Sequence, residues 1–76
     1  MPPLRKLSGK KLLKILCNKF GFSVLRQRGS HIIIAKETAA GKIGTVVPMH
    51  HELKIGTLKG ILKQTGISEE EFMEFV

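Results

Sequence analysis

A chain of 76 residues forms one domain at most, and a domain of this size buries only about 60% of the surface that its unfolded chain exposes. Hydrophobic residues make up 42% of the sequence, which argues against a disordered chain, and the single cysteine, Cys17, excludes an internal disulfide. Thirteen Lys and Arg against six Asp and Glu give a net charge of +7, so we expect an anionic partner: nucleic acid, a membrane surface or an acidic protein.

The first predicted element is a helix over residues 8–20. Ser8 is a candidate N-cap, and Gly21 is expected to end the helix. Apolar residues recur at helical spacing and form the buried stripe, namely Leu12, Leu16 and Phe20.

Two strands are predicted next, over residues 22–28 and 31–36, joined by a two-residue turn at Gly29 and Ser30. In that register Arg28 and His31 flank the turn as a cross-strand pair on one face of the sheet. Arg26 lies on the same face, two residues back.

The rest of the chain alternates a loop, a strand and two helices. A loop over residues 37–42 leads to a third strand over 43–48, and a connector follows. A second helix is expected to be capped by Gly56 or Thr57 and ended by Gly66. Ser68 and Glu71 form a capping box for a short last helix, and the three glutamates at its start complement the helix dipole, which is a sufficient structural reason for the acidic run.

This element order predicts an α+β fold with a three-stranded antiparallel sheet and the helices on one face. Three consecutive isoleucines in the second strand complicate the arrangement, because Ile33 points away from Ile32 and Ile34. Either a partner protein covers the second face, or a small curled sheet leaves one large apolar group exposed.

Three motifs carry a resemblance to a known family. They are Gly29-Ser30-His31, Pro48-Met49-His50 and the stretch GTLKGILKQTGI at residues 56–67. In this combination the sequence resembles the HicA toxin family of prokaryotic toxin–antitoxin pairs, over residues 7–75. The resemblance implies a fold like the double-stranded-RNA-binding domain for a single HicA-like domain over residues 1–76. It also implies mRNA interferase activity, a role in stress response and a HicB-type antitoxin that covers the active site.

The resemblance places His31 on the family's catalytic histidine, and His50 on a histidine that is common in the family. RNA carries its own nucleophile, so His31 would act as general base on the 2′-hydroxyl without any metal. The reference pKa of histidine, about 6.5, suits this role near neutral pH. Possible catalytic support comes from Ser30, Arg28 and His50. The general acid stays open among His50, a lysine and water.

These residues also have plain structural explanations. His50 is equally read as a structural turn residue. His31 alone would be read as a strand-end histidine that pairs with an arginine or with solvent. RNA-binding candidates are the basic residues Arg26, Arg28, Lys10, Lys11, Lys14, Lys59 and Lys63, although lysines on amphipathic helices usually form solvated faces.

No cofactor or metal is expected, since three scattered histidines and one cysteine do not have zinc-site spacing. The longest apolar run, residues 32–35, is too short to cross a membrane, and residues 1–11 lack the apolar stretch of a secretory signal. Together with the resemblance, these features make a cytoplasmic ribonuclease toxin the first hypothesis. A non-catalytic RNA-binding module on the same fold and a pure interaction subunit are the alternatives.

Overall fold

The computed structural model describes residue 4 and residues 6–76, and its elements follow the predicted order. The elements are α1 (Gly9–Lys19), β1 (Ser23–Arg28), β2 (His31–Thr38), β3 (Gly41–Pro48), α2 (Ile55–Thr65) and α3 (Glu69–Met73). The strands form one antiparallel sheet in the order β1-β2-β3, which confirms the predicted α+β class. Residues 1–3 and 5 of the predicted domain lie outside the described residues. None of the helices in the described part of the chain is long and apolar enough to cross a membrane.

Local capping sets both ends of α1 and the start of α3, as predicted. The Ser8 hydroxyl accepts a hydrogen bond from the backbone N–H of Lys11 at 3.0 Å, and Gly21 follows α1 with a φ of +76°. In α3 the capping box is complete, because Ser68 Oγ accepts from the N–H of Glu71 and the Glu71 carboxylate accepts from the N–H of Ser68. Such caps each contribute about 1 kcal/mol.

The predicted start of α2 is wrong. Neither Gly56 nor Thr57 caps this helix, which begins at Ile55 after an N-cap residue, Lys54, whose side chain makes no capping hydrogen bond. Tertiary packing fixes the start instead, since the preceding residue, Leu53, is fully buried. The other end agrees with the sequence: Gly66, at a φ of +71°, ends the helix.

The predicted loop over residues 37–42 is also wrong. Strand β2 continues to Thr38 and β3 begins at Gly41, so only residues 39 and 40 form the turn. The Thr38 hydroxyl donates to the carbonyl of Gly41 at 2.6 Å and accepts from the N–H of Ala40, while Gly41 has a φ of +120°. A side-chain turn of this kind closes a hairpin without the usual Asn-Gly or Asp-Gly signal.

One hydrophobic core lies between the helices and one face of the sheet. Ile32 and Ile34 on β2 and Val47 on β3 supply the sheet side, and the helix side comes from buried residues of all three helices, among them Leu12, Leu16, Leu58, Ile61, Leu62 and Phe72. The hydroxyl of Thr45 on β3 donates to Gln64 Oε1 on α2 at 2.6 Å, which adds a polar link between the layers.

No helix within the described residues lies on the second face of the sheet, which is open. Ile33 on this face is half-buried, and its cross-strand partner Val46 is 42% exposed. The chain by itself therefore leaves apolar side chains exposed on the second face, which agrees with both explanations for the isoleucine run.

The segment before α1 lies against the connector after β3. Leu53 N–H donates to the carbonyl of Leu7 at 2.6 Å, and Gly9 N–H donates to the carbonyl of His50 at 2.9 Å. A Cβ atom at Gly9 would overlap the carbonyl oxygen of Pro48 and lie 2.9 Å from Met49 Cα, so only glycine fits at this approach.

Replacing Gly9 with alanine is therefore expected to destabilise the fold by about 1–3 kcal/mol, because backbone atoms have to move to relieve the overlap. The matched control is Gly60→Ala in the middle of α2, where a Cβ atom meets nothing within 4 Å. That control is expected to stabilise by about 0.5–1 kcal/mol, since glycine weakens a helix interior. Urea unfolding measures both changes. Equal stability of the Gly9→Ala variant and the unchanged chain would contradict the close approach.

Candidate functional site

The turn between β1 and β2 determines where His31 stands. Gly29 has a φ of +60° and Ser30 has no positive φ, which is the pattern of a type II′ turn. This turn suits the twist of a hairpin and pairs Arg28 directly with His31, as predicted. The exposed His31 side chain thus begins the central strand of the sheet.

His31 and both predicted arginines lie on the open face of the sheet. Arg26 pairs with Ile33, which lies two residues from His31 on the same face. Both arginines and His31 are exposed, and on its other side His31 pairs with Pro48 at the end of β3. The face therefore presents a histidine and two guanidinium groups to solvent.

A second imidazole stands beside the first. The rings of His31 and His50 have centroids 6.5 Å apart and planes inclined by 73°. The backbone N–H of Met49 donates to the carbonyl of Ser30 at 2.6 Å, which ties the connector to the β1–β2 turn. Of the residues suggested for catalytic support, Ser30 accepts this hydrogen bond through its carbonyl, Arg28 pairs with His31 across the strands, and the ring of His50 lies beside that of His31.

The start of α1 lies against the connector that carries His50. Gly9 donates to the carbonyl of His50, so the first turn of α1, with Lys10 and Lys11, lies beside the connector. Lys10, Lys11 and Lys14 line one shallow depression together with Ser8. The other two predicted lysines, Lys59 and Lys63, are exposed on α2 and belong to a separate helix face.

Metal-binding side chains and the Cys17 thiol could carry other chemistry. Within residue 4 and residues 6–76, no three His, Cys, Asp or Glu side chains lie close enough together to hold a metal ion. Burial raises the pKa of the Cys17 thiol above its ordinary value, so the reactive thiolate is disfavoured at neutral pH.

An apolar patch adjoins the basic residues on the open face. Leu25, which is 53% exposed, lines an open depression of about 460 Å³ together with Ile33, Ala35 and Val46. β1 is irregular at Leu25, where the pairing with β2 shifts between Val24 and Arg26. Exposed aliphatic groups beside a charged site are typical of a surface that meets another protein.

A comparison with protein families assigns the chain. The family model of the HicA toxin of bacterial toxin-antitoxin systems matches residues 9–67. The chain belongs to the HicA toxin family. A toxin of this family has an antitoxin as its partner. The comparisons with curated proteins and with solved structures gave no match.

In this HicA-family chain, the matched region contains every residue of the two-histidine arrangement. Sequence reasoning named His31, Arg28 and His50 but missed Gly9, which fixes the connector that carries His50. A signal was available, since glycine directly after an N-cap serine has low helix propensity and requires a reason.

The turn makes a test of this geometry possible. Gly29→Ala is expected to lower the free energy of unfolding by about 1–2 kcal/mol, because an L-residue at positive φ brings its Cβ too close to the following carbonyl oxygen. D-alanine at the same position, introduced by chemical synthesis of the short chain, relieves this strain and is the matched control. If the two stereoisomers unfold at the same denaturant concentration, the turn assigned to Gly29 and Ser30 is incorrect.

Proposed function

We propose that this HicA-family toxin is a metal-independent endoribonuclease that cleaves mRNA in the cytoplasm, acting as one domain over residues 1–76. The observation that carries the proposal is the exposed His31 ring on the open face, which it shares with Arg26 and Arg28 on the neighbouring strand. This ring faces solvent beside cationic groups, so a polyanion can reach it.

The chemistry needs only groups that this face presents. A neutral imidazole at His31 removes the proton of a ribose 2′-hydroxyl, and the oxygen attacks the adjacent phosphorus. Negative charge that develops on the phosphorane oxygens is stabilised by the guanidinium groups of Arg26 and Arg28. One general base contributes about 10²–10⁴-fold in rate, so we expect a slow nuclease, which suffices for a toxin because each cut inactivates a message.

Binding of RNA would rely mainly on charge. The first 68 residues hold 13 basic residues and only two acidic ones, Glu37 and Glu52. Lys10, Lys11 and Lys14 belong to α1, whose first residue hydrogen-bonds to the connector that carries His50, and they suit phosphates close to the scissile bond, while Lys59 and Lys63 on α2 suit more distant ones. Contacts of this kind carry little sequence information, so we expect weak sequence preference and affinity that falls with salt.

The test is cleavage of a single-stranded RNA by the purified chain in excess chelator. The unchanged protein is expected to produce 2′,3′-cyclic phosphate ends, because the ribose supplies the nucleophile. His31→Ala is expected to lose about 10²–10⁴-fold in rate while RNA affinity stays the same, since the arginines remain. The product ends are identified by mass spectrometry, and affinity is measured by fluorescence anisotropy. RNA binding without cleavage by both proteins would establish a non-catalytic RNA-binding module instead.

We also propose that a HicB-type antitoxin silences the toxin by covering His31 and the neighbouring arginines. The apolar patch of Leu25, Ile33 and Val46 shares the open face with these residues, so one bound protein covers both. Acidic groups on the antitoxin would pair with the guanidinium groups, and aliphatic groups would fill the depression.

Charge substitution in this patch separates inhibition from catalysis. Leu25→Asp is expected to weaken antitoxin binding about 30-fold or more, which corresponds to the loss of a hot-spot contact of about 2 kcal/mol. RNA cleavage by this variant is expected to persist, because Leu25 has no part in the proposed chemistry. The control Val76→Asp makes the same charge change at an exposed apolar residue of the C-terminus. Isothermal titration measures both affinities, and an unchanged affinity for the Leu25 variant would contradict binding on the open face.

A further inference from the structure

Strand scission needs a proton that His31 does not supply. When the 2′-oxygen attacks phosphorus, the 5′-oxygen leaves as an alkoxide unless an acid protonates it. We propose that His50 is this general acid, an inference that rests on the proposed ribonuclease function. It assigns the second imidazole of the pair a catalytic role of its own.

The two rings are close enough to act on one phosphodiester. Their centroids are 6.5 Å apart, and both side chains are exposed to solvent. A proton acceptor and a proton donor for one linkage have to reach the same phosphate group, each through a hydrogen bond of about 2.6–3.2 Å. In-line displacement places the entering and leaving oxygens on opposite sides of phosphorus, and one ring can serve each side.

Backbone hydrogen bonds on both sides of His50 hold the segment of the connector that carries the second ring. Met49 N–H bonds to the turn that precedes His31, and the carbonyl of His50 itself accepts from Gly9 N–H. Both bonds are independent of the imidazole, so the site is built before RNA binds. His51, the next residue along, is exposed as well, but the ring contact with His31 is made by His50.

The step balances without any further reactant. His31 accepts the 2′-hydroxyl proton, the O2′–P bond forms, the P–O5′ bond breaks and His50 donates a proton to O5′. The products are a 2′,3′-cyclic phosphate and a 5′-hydroxyl. Exchange with solvent then removes the proton from His31 and returns one to His50, which restores the enzyme.

A substrate whose leaving group needs no acid provides the test. In RNA with a 5′-bridging sulfur at one linkage, the thiolate leaves without protonation. On ordinary RNA, His50→Ala is expected to reduce the single-turnover rate by about 10²–10⁴-fold. On the sulfur-bridged RNA, His50→Ala is expected to cleave as fast as the unchanged protein, whereas His31→Ala stays slow on both substrates. The matched control, His51→Ala, is expected to cleave both at the unchanged rate.

Three results would overturn the assignment while the ribonuclease function stood. His50→Ala could cleave ordinary RNA at full rate, as it would if a lysine or water were the acid. It could be equally slow on both substrates, which indicates a positioning role. Rescue of His31→Ala by sulfur would mean that the two histidines have the reverse roles. Absence of cleavage by the unchanged protein, on either substrate, would instead refute the proposed function itself. The reduced rate of His50→Ala on ordinary RNA should come from the missing proton and not from a change in the fold. His50→Gln, which keeps a polar side chain of similar reach, checks this.

Discussion

The arrangement of the candidate site depends on two of the backbone hydrogen bonds that hold the segment after β3. One runs from Met49 to the carbonyl of Ser30, and the other runs from Gly9 to the carbonyl of His50. Through them, the β1–β2 turn, the connector and the start of α1 meet at one corner of the sheet. Because only backbone groups are involved, side chains at this corner remain free to act on a ligand.

Under the proposal, this corner combines catalysis and control on one surface. His31 and the two arginines are exposed on the open sheet face, and His50 is exposed beside them on the connector. Such a site suits a long polyanion that is held by its backbone, and a single protein partner can cover it completely. The exposed aliphatic groups beside the arginines offer neither a proton nor a charge for RNA chemistry, which is why the proposal assigns them to the antitoxin. Under the proposal, the same openness allows both the activity and its inhibition.

The sequence predicted the features that local chemistry decides. Ser8, Ser68 with Glu71, and Gly66 marked helix ends by capping, and Gly29 marked the turn that pairs Arg28 with His31. The errors came where packing overrides local signals. Leu53, buried against the core, fixes the start of α2 where no capping residue stands, and the Thr38 hydroxyl closes a hairpin that reads as a loop. The contact between His31 and His50 could not be predicted from the sequence, because it depends on the path of a connector that no local pattern defines. The family motifs named both rings, and only the fold brings them together.

Ring-selective NMR of the three histidines tests the central claim most directly. The measurement titrates the protein with a 2′-fluoro RNA oligonucleotide, which lacks the nucleophilic proton and is not cut, and follows the imidazole 13C–1H signals. If a phosphodiester lies between the two rings, the signals of His31 and His50 shift together with one common dissociation constant, and those of His51 do not. If the oligonucleotide binds, as shifts of the lysine signals would show, and the imidazole signals of His31 and His50 do not change, the account is contradicted.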